Sequence, residues 1–350
     1  MSSAYLKEIM EQPAALRRAA DNYPAGHAEL ARLAAELASR RYRQVILTGM
    51  GISYHSCYPL WLTLSQHGLP AACWDASELV HYAPQALGPD TLLIVVSQSG
   101  ESAELKRIIQ FERRPGRVVS ITNGRHNSLA DWADLPLSTE AGPETAVSTK
   151  TYITGLCILH LLGVGLLGGE LASARAELHP LADHIESFLQ DWQARIEPAA
   201  EFLGPCDALA FLARGYSTAS ALAGALMVAE ASRIFGGALS AAQFKHGPIE
   251  AVREGFRAVM FAGPDDTRQL NQHMAAQIAG FGGRVLMVTP AAPAGRPPGG
   301  VAHLSIAGAP AALLPILEII PIQLLTIALA QLKGHPPAAF VNCTKVTTQE

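Results

Sequence analysis

Val45-Ile46-Leu47-Thr48-Gly49-Met50-Gly51-Ile52-Ser53 is a short apolar run that breaks into glycines and a hydroxyl residue, and it has an echo in Leu209-Ala210-Phe211-Leu212-Ala213-Arg214-Gly215-Tyr216-Ser217. Gly51 falls over Gly215 and Ser53 over Ser217. Such a run reads as a buried strand feeding a helix. Similar runs stand at Leu92–Val96 and Val118–Thr122, separated by the helical stretch Ala103–Arg113. Arg117-Val118-Val119-Ser120-Ile121-Thr122 is itself echoed by Arg284-Val285-Leu286-Met287-Val288-Thr289. Alternating strands and helices predict an α/β fold with a doubly wound parallel sheet. The paired echoes predict two tandem copies of it.

With 350 residues and 49% hydrophobic side chains, the chain can fill two domain cores. The expected division is an N-terminal helical arm over 1–30, a first domain over 31–175, a helical linker over 176–200, a second domain over 201–335 and a C-terminal active-site tail over 336–350. The linker helix is placed at Leu178–Ile196, with Pro180 in its first turn. Pro290–Gly300, rich in Ala, Pro and Gly, reads as a surface loop. Ala311–Leu332 is membrane-like in composition, but Pro315, Glu318, Pro321 and Gln323 cut it short of the ~18 consecutive apolar residues of a span. It predicts a buried helix, broken or kinked near Pro321.

A formal charge of −4 with dispersed Lys and Arg lacks the basic patch of a nucleic-acid binder. The five cysteines, Cys57, Cys73, Cys157, Cys206 and Cys343, form no CxxC pair and no zinc-like cluster, so no metal is expected and the thiols read as reduced. Met1-Ser2-Ser3-Ala4-Tyr5-Leu6-Lys7-Glu8 has no apolar core after a basic start, so a cytoplasmic location without a membrane partner is expected.

Leu92-Leu93-Ile94-Val95-Val96-Ser97-Gln98-Ser99-Gly100-Glu101-Ser102 runs a buried strand straight into small hydroxyl residues and a glycine. Free amide hydrogens at the following helix start, joined by the hydroxyls of Ser97, Ser99 and Ser102, suit a phosphate. The plainer alternative is that Ser99 or Ser102 only caps the helix. Three serines around a glycine exceed that need. The turn at Gly49–Ser53 opens at the same carboxyl edge of a parallel sheet. Neither loop has a dinucleotide fingerprint or a Walker lysine, so NAD, ATP or another cofactor is not expected.

Proton transfer on a bound phosphorylated substrate needs a carboxylate or an imidazole within reach. Glu230, on a helix over Ala221–Ile234, and His246, in the loop Phe244-Lys245-His246-Gly247-Pro248, are chemically suited. Each has a plainer reading, Glu230 as an exposed helix charge beside Arg233 and His246 as an ordinary loop histidine. Lys345, in the polar tail Phe340–Glu350, could form a Schiff base with a ketose carbonyl, or be simply solvated.

Taken in order, these segments resemble the sugar isomerase (SIS) family, and within it the isomerase half of glutamine–fructose-6-phosphate aminotransferase. The resemblance runs through Leu6-Lys7-Glu8-Ile9-Met10-Glu11-Gln12-Pro13, Gly51-Ile52-Ser53-Tyr54-His55, Ser97-Gln98-Ser99-Gly100-Glu101-Ser102, Ala146-Val147-Ser148-Thr149-Lys150, Lys245-His246-Gly247-Pro248, Pro321-Ile322-Gln323-Leu324-Leu325 and Lys345-Val346-Thr347. It implies that Ser53, Ser97, Gln98, Ser99 and Ser102 hold a sugar phosphate, with Ser148 near the sugar hydroxyls. It also implies Glu230 as the proton shuttle, His246 as the ring-opening group and Lys345 as the imine-forming lysine. In the family the histidine loop crosses a dimer interface, which implies a homodimer sharing the His246 loop. Two departures stand out. Ala223 and Met227 take the places of a glutamate and a lysine on the helix of Glu230, so the base loses a neighbouring cation. The glutaminase domain, with its N-terminal cysteine, has no counterpart before Met1-Ser2-Ser3, so the chain alone is expected to lack an ammonia source.

The same sugar chemistry can run with water releasing an amine. Stand-alone two-domain SIS deaminases, which this chain resembles in length and at Gly142-Pro143-Glu144, put hydrolytic deamination of an amino-sugar 6-phosphate first. A deglycase acting on a phosphorylated sugar–amino acid conjugate ranks second and simple isomerisation third. A non-catalytic sugar-phosphate sensor is the reading from a different class.

Overall fold

The computed structural model describes residues 3–263, 267–290, 297–342 and 344–345. Among them the chain forms two compact units. The first gathers Glu11–Glu144, Ser148–Ala182 and Asn342–Glu350; the second gathers Met1–Met10, Thr145–Val147 and Asp183–Val341.

The first unit holds β1 (Gln44–Gly49), β2 (Ala71–Asp75), β3 (Thr91–Val96), β4 (Arg117–Thr122) and β5 (Leu135–Ser138). They form one five-stranded sheet in the order β2-β1-β3-β4-β5. All its pairs are parallel, with Val45 opposite Leu92 and Ala71, and Leu93 opposite Val118. The inner strands are buried on both faces, which is why they read as unbroken apolar runs. One face packs Ile46, Leu93, Val95 and Val118 with Leu79, Leu105 and Ile108. The helix Lys150–Leu166, buried along nearly its whole length, packs against the helices Gln12–Asp21 and Ala28–Ala38.

The second unit holds β6 (Ala208–Ala213), β7 (Phe235–Ser240), β8 (Arg257–Phe261), β9 (Arg284–Thr289) and β10 (Val301–Ser305). Their order is β10-β9-β8-β6-β7, again all parallel. Read from the other edge this is the order of the first sheet, element for element. Both are the 2-1-3-4-5 winding, in which the order reverses beside the first strand and leaves a crevice at the carboxyl ends of its first and third strands.

The predicted helix Ala103–Arg113 ends at Ile109, with Gln110 closing it. Pro115 disfavours helical backbone just ahead of it. The predicted linker helix Leu178–Ile196 is two helices, Leu178–Gln190 and Trp192–Leu203, separated at Asp191, whose φ of −127° and ψ of 30° are not helical. The helix carrying Glu230 spans Thr218–Ser232, and Arg233 ends it in the left-handed region. Of Pro290–Gly300, residues 291–296 lie outside the described residues.

Of the buried helix expected to be broken or kinked near Pro321, the burial is found and the break is not. Leu314–Leu332 is one continuous helix through that proline. Packing holds it: the helix lies against Thr218–Ser232 and Trp192–Leu203, burying its side chains along nearly the whole length. The helix has the length and apolarity to cross a membrane, yet 94% of that stretch is buried in the protein. It is the core helix of its unit, the C-terminal helical segment of the fold.

Candidate functional site

The ends of β1 and β3 come together because Gly49 has no side chain. A Cβ there would lie 2.7 Å from the Val96 carbonyl oxygen and 3.0 Å from the Tyr54 nitrogen. Beyond β1 the chain turns at Met50-Gly51 into the short helix Ile52–Ser56, and the Ser53 carbonyl accepts from Ser56 Oγ at 2.7 Å. Beyond β3, Ser97 continues the pairing by donating its amide to Ile121 O at 3.0 Å. Its hydroxyl accepts from the Gly100 amide at 3.0 Å, and Ser99 Oγ accepts from Glu101 N at 3.2 Å. The serines thus shape a tight loop around Gly100, which sits at φ +70° with Asn127 Oδ1 only 1.9 Å from where a Cβ would be. Asn127 is fixed there as the cap of Ser128–Trp132, accepting from Ala130 N at 2.9 Å and donating to Thr122 Oγ1 at 3.0 Å.

Ser102 occupies the cap position of the helix Ala103–Ile109, but its hydroxyl makes no capping bond. The capping alternative therefore does not describe the Ser102 hydroxyl, while Ser99 Oγ serves a backbone amide of its own loop, that of Glu101. Glu101 turns to the loop's outer side, where its carboxylate accepts from Ser128 N at 2.7 Å and Ser128 Oγ at 3.1 Å, and pairs with Lys106 at 3.0 Å. Those bonds hold its carboxyl below the ordinary range.

Between the two loops lies a small recess lined by Ser53, Ser56, Ser97, Gln98, Thr139 and Thr151, with Ile52, Val96, Ile121 and Tyr152 as its apolar walls. Ser53, Ser97 and Gln98 are therefore brought together. Ser99 and Ser102 follow on the same loop.

Ser148 and Lys345 meet beside that recess. Lys345 Nζ donates to Ser148 Oγ at 3.2 Å and to Glu144 Oε2 at 2.9 Å. Glu144 is a residue that reading the sequence left without a role. Its Oε1 accepts from Thr149 N at 2.9 Å, Thr149 Oγ1 at 3.2 Å and Thr151 N at 3.1 Å. Its Oε2 accepts from Thr151 Oγ1 at 2.7 Å as well as from Lys345. Burial alone would push this carboxyl up, but Lys345 and the Thr151 and Thr149 donors outweigh it and hold it low. The hydroxyl-rich run Ser148-Thr149-Lys150-Thr151 at a helix start, just after an acidic residue, was the available signal. Thr151 joins the two features, since it lines the recess and binds Glu144.

Lys150 is a scaffold lysine. Only 2% exposed, it donates to Pro143 O at 2.7 Å and pairs with Glu11 at 2.6 Å, fixing the stretch that leads to Glu144.

Glu230 and His246 belong to the second unit. Glu230 is half-buried on Thr218–Ser232, and Ala223 and Met227 on the same helix are buried without any exposed surface. The loop expected at Phe244–Pro248 is partly helical: Phe244 and Lys245 close the helix Ala241–Lys245, and exposed His246 forms the turn after it, its amide donating to Gln243 O at 2.9 Å. At the carboxyl edge of this unit, Ser217 Oγ donates to Glu318 Oε1 at 2.7 Å and Ser220 Oγ to Oε2 at 2.5 Å. Burial pushes Glu318 up to about 7, against the pull of those two serines. Among the described residues no group of His, Cys, Asp and Glu is arranged to hold a metal ion.

The family model for the SIS domain matches residues 37–165 and again residues 203–332. The chain is 31% identical to glutamine–fructose-6-phosphate aminotransferase of Pyrococcus horikoshii over 99% of its own length, and spans 57% of that enzyme. Among solved structures it resembles the C-terminal domain of glucosamine-fructose-6-phosphate aminotransferase from Francisella tularensis, with a TM-score of 0.82 at 22% identity, covering 100% of this chain and 99% of that one. It also resembles glucosamine-6-phosphate deaminase from Thermotoga maritima, with a TM-score of 0.77 at 20% identity, covering 99% and 100%. At those identities the structural likenesses establish the fold. Two parallel sheets of one winding, each within a matched segment, establish more: this chain is a member of the SIS family, carrying two SIS domains.

Proposed function

We infer that this protein is a phosphosugar-processing SIS enzyme that releases ammonia from an amino-sugar 6-phosphate such as glucosamine 6-phosphate, leaving a ketose 6-phosphate. The observation that carries this reading is Lys345 held at Ser148 and Glu144, with Thr151 continuing from that cluster into the serine-lined recess. An anion gripped by Ser53, Ser97, Gln98, Ser99 and Ser102 leaves the sugar carbon chain to reach toward an amine, and an amine next to a sugar carbonyl forms an imine. In this reading Glu230 moves the proton between C1 and C2, and His246 opens the ring, its loop shared across a homodimer. The proton transfer turns the C2 amine into an imine; water then adds at C2, the C2–N bond breaks as ammonia leaves, and the C2 carbonyl of the ketose forms, so the reaction consumes no ammonia.

The experiment is ammonia release from glucosamine 6-phosphate by the purified protein, repeated with Glu230→Gln. Release that falls by about 100-fold or more in that variant supports the assignment. Turnover confined to phosphorylated sugar–amino acid conjugates would make the protein a deglycase instead. Binding of the sugar phosphate without turnover of any of these would make it a sensor.

A further inference from the structure

We propose that Glu144 is the fixed counter-ion of Lys345: it orients the amine in the resting protein and stabilises the cationic imine once the sugar is attached. The proposal rests on the reading above, in which Lys345 forms that imine.

The carboxylate is buried and carries five donors, four of them from Thr149 and Thr151 and the fifth from Lys345 itself. A carboxylate satisfied on both oxygens by amides and hydroxyls is locked in its ionised form and is a poor proton acceptor. It is therefore unsuited to act as a general base. Its place, 2.9 Å from Nζ, suits a permanent negative charge instead. Thr149 and Thr151 set that charge rigidly at the start of the helix Lys150–Leu166, and buried Lys150 braces the preceding stretch through Pro143 O.

The covalent step needs such a charge. Nζ, as the free amine, adds to the carbonyl carbon, forming the C–N bond while the carbonyl π pair becomes a hydroxyl. Loss of that oxygen as water, with uptake of one proton, leaves nitrogen doubly bonded to carbon and positively charged. The cation is what draws electrons from the neighbouring C–H bond and from the attacked carbon. A preorganised anion beside it favours this form over the neutral imine without any reorganisation. Ser148, at 3.2 Å, supplies an oxygen that holds Nζ on its other side.

The test is reductive trapping. Wild type, Glu144→Gln, Glu144→Asp and Ser148→Ala are each incubated with fructose 6-phosphate and sodium borohydride across pH 6 to 10. Adduct at Lys345 is quantified by peptide mass spectrometry, and orthophosphate affinity is measured in parallel as a check on the folded recess. The counter-ion role predicts at least about tenfold less adduct in Glu144→Gln on the alkaline plateau, where the amine is free in every variant. It predicts an acidic limb of trapping moved to lower pH, and partial recovery in Glu144→Asp, with phosphate affinity unchanged. A merely structural role would lower phosphate affinity and adduct together and leave the pH profile in place. Trapping in Glu144→Gln equal to wild type at every pH overturns the proposal and leaves the functional reading standing. Should Glu144→Gln fail to fold, Ser148→Ala and Glu144→Asp decide the matter: a carboxylate-dependent pH profile requires the aspartate variant to differ from wild type while the serine variant keeps the wild-type profile. No adduct in wild type would remove the imine reading and the counter-ion with it.

Discussion

At the end of β1, Ser53 lines a small recess; at the matching point of the other sheet, Ser217 gives its hydroxyl hydrogen to Glu318. The two edges share winding, strand pairing and even the glycine-to-serine spacing of their turns. What differs is what was brought to the crevice. In the first unit β3 delivers Ser97-Gln98-Ser99-Gly100. In the second, β8 runs into Ala262 and Gly263, and the core helix inserts a carboxyl group beside Ser217 and Ser220. A duplicated scaffold thus carries one edge with a small hydroxyl-lined recess and another where two hydroxyls are bonded to a buried carboxyl group. Position in the fold offers a site, and the side chains decide whether it is used.

The contrast can be broken most severely at Gly100. Gly100→Val places a branched side chain at φ +70° and against Asn127 Oδ1, so turnover should fall by about 100-fold or more. Isothermal titration with orthophosphate should show the anion lost from the first edge. An unchanged titration would separate the serine loop from anion binding.

The next effect belongs to the second edge. Folded Glu318 keeps its proton up to about pH 7, whereas an unfolded glutamate releases it near 4.5. Between those values the folded state binds more protons, so stability contributed by this group is full below pH 4.5 and is lost as pH rises through 7. The loss is of the order of 3 kcal/mol. Urea unfolding at pH 5, 6 and 8 should show this slope, and Glu318→Gln should flatten it.

Lys150→Met tests the bracing of the first edge. It removes the ion pair to Glu11 and the bond to Pro143 O, and should cost about 1–3 kcal/mol, moderated because Glu11 is 42% exposed and can be solvated. The smallest effect is expected at Glu101. Its partners Ser128 and Lys106 lie at the surface, so Glu101→Ala should change the unfolding free energy by less than about 1 kcal/mol and leave phosphate affinity unaltered. A large loss of affinity there would move the anion's place outward along the loop.

How much of this could be read from residues alone follows burial. Val45–Thr48, Leu92–Val96 and Val118–Thr122 announce themselves because both faces of an inner parallel strand are covered. The edge strand Phe235–Ser240 does not, since its Gly-Gly centre and 75% exposed Phe235 carry no apolar pattern. Ser97–Ser102 stood out as hydroxyls set directly after an apolar run. Glu144 did not, because the hydroxyl run that fixes it carries no charge of its own and its cationic partner, Lys345, lies far along the chain. The continuity of Leu314–Leu332 through Pro321 was hidden for a related reason: local propensity argues for a break, and tertiary packing overrules it.

The spacing at Gly49 has a consequence for how this scaffold can diversify. Since Gly49 meets the Val96 carbonyl with no side chain between them, the spacing at this point is set by main-chain atoms, which no substitution can trim and only one at Gly49 itself would pad. New ligand preferences would have to arise from the replaceable walls, at Thr139, Thr151 and Tyr152. The main-chain geometry of the edge can then stay constant while its walls are renegotiated.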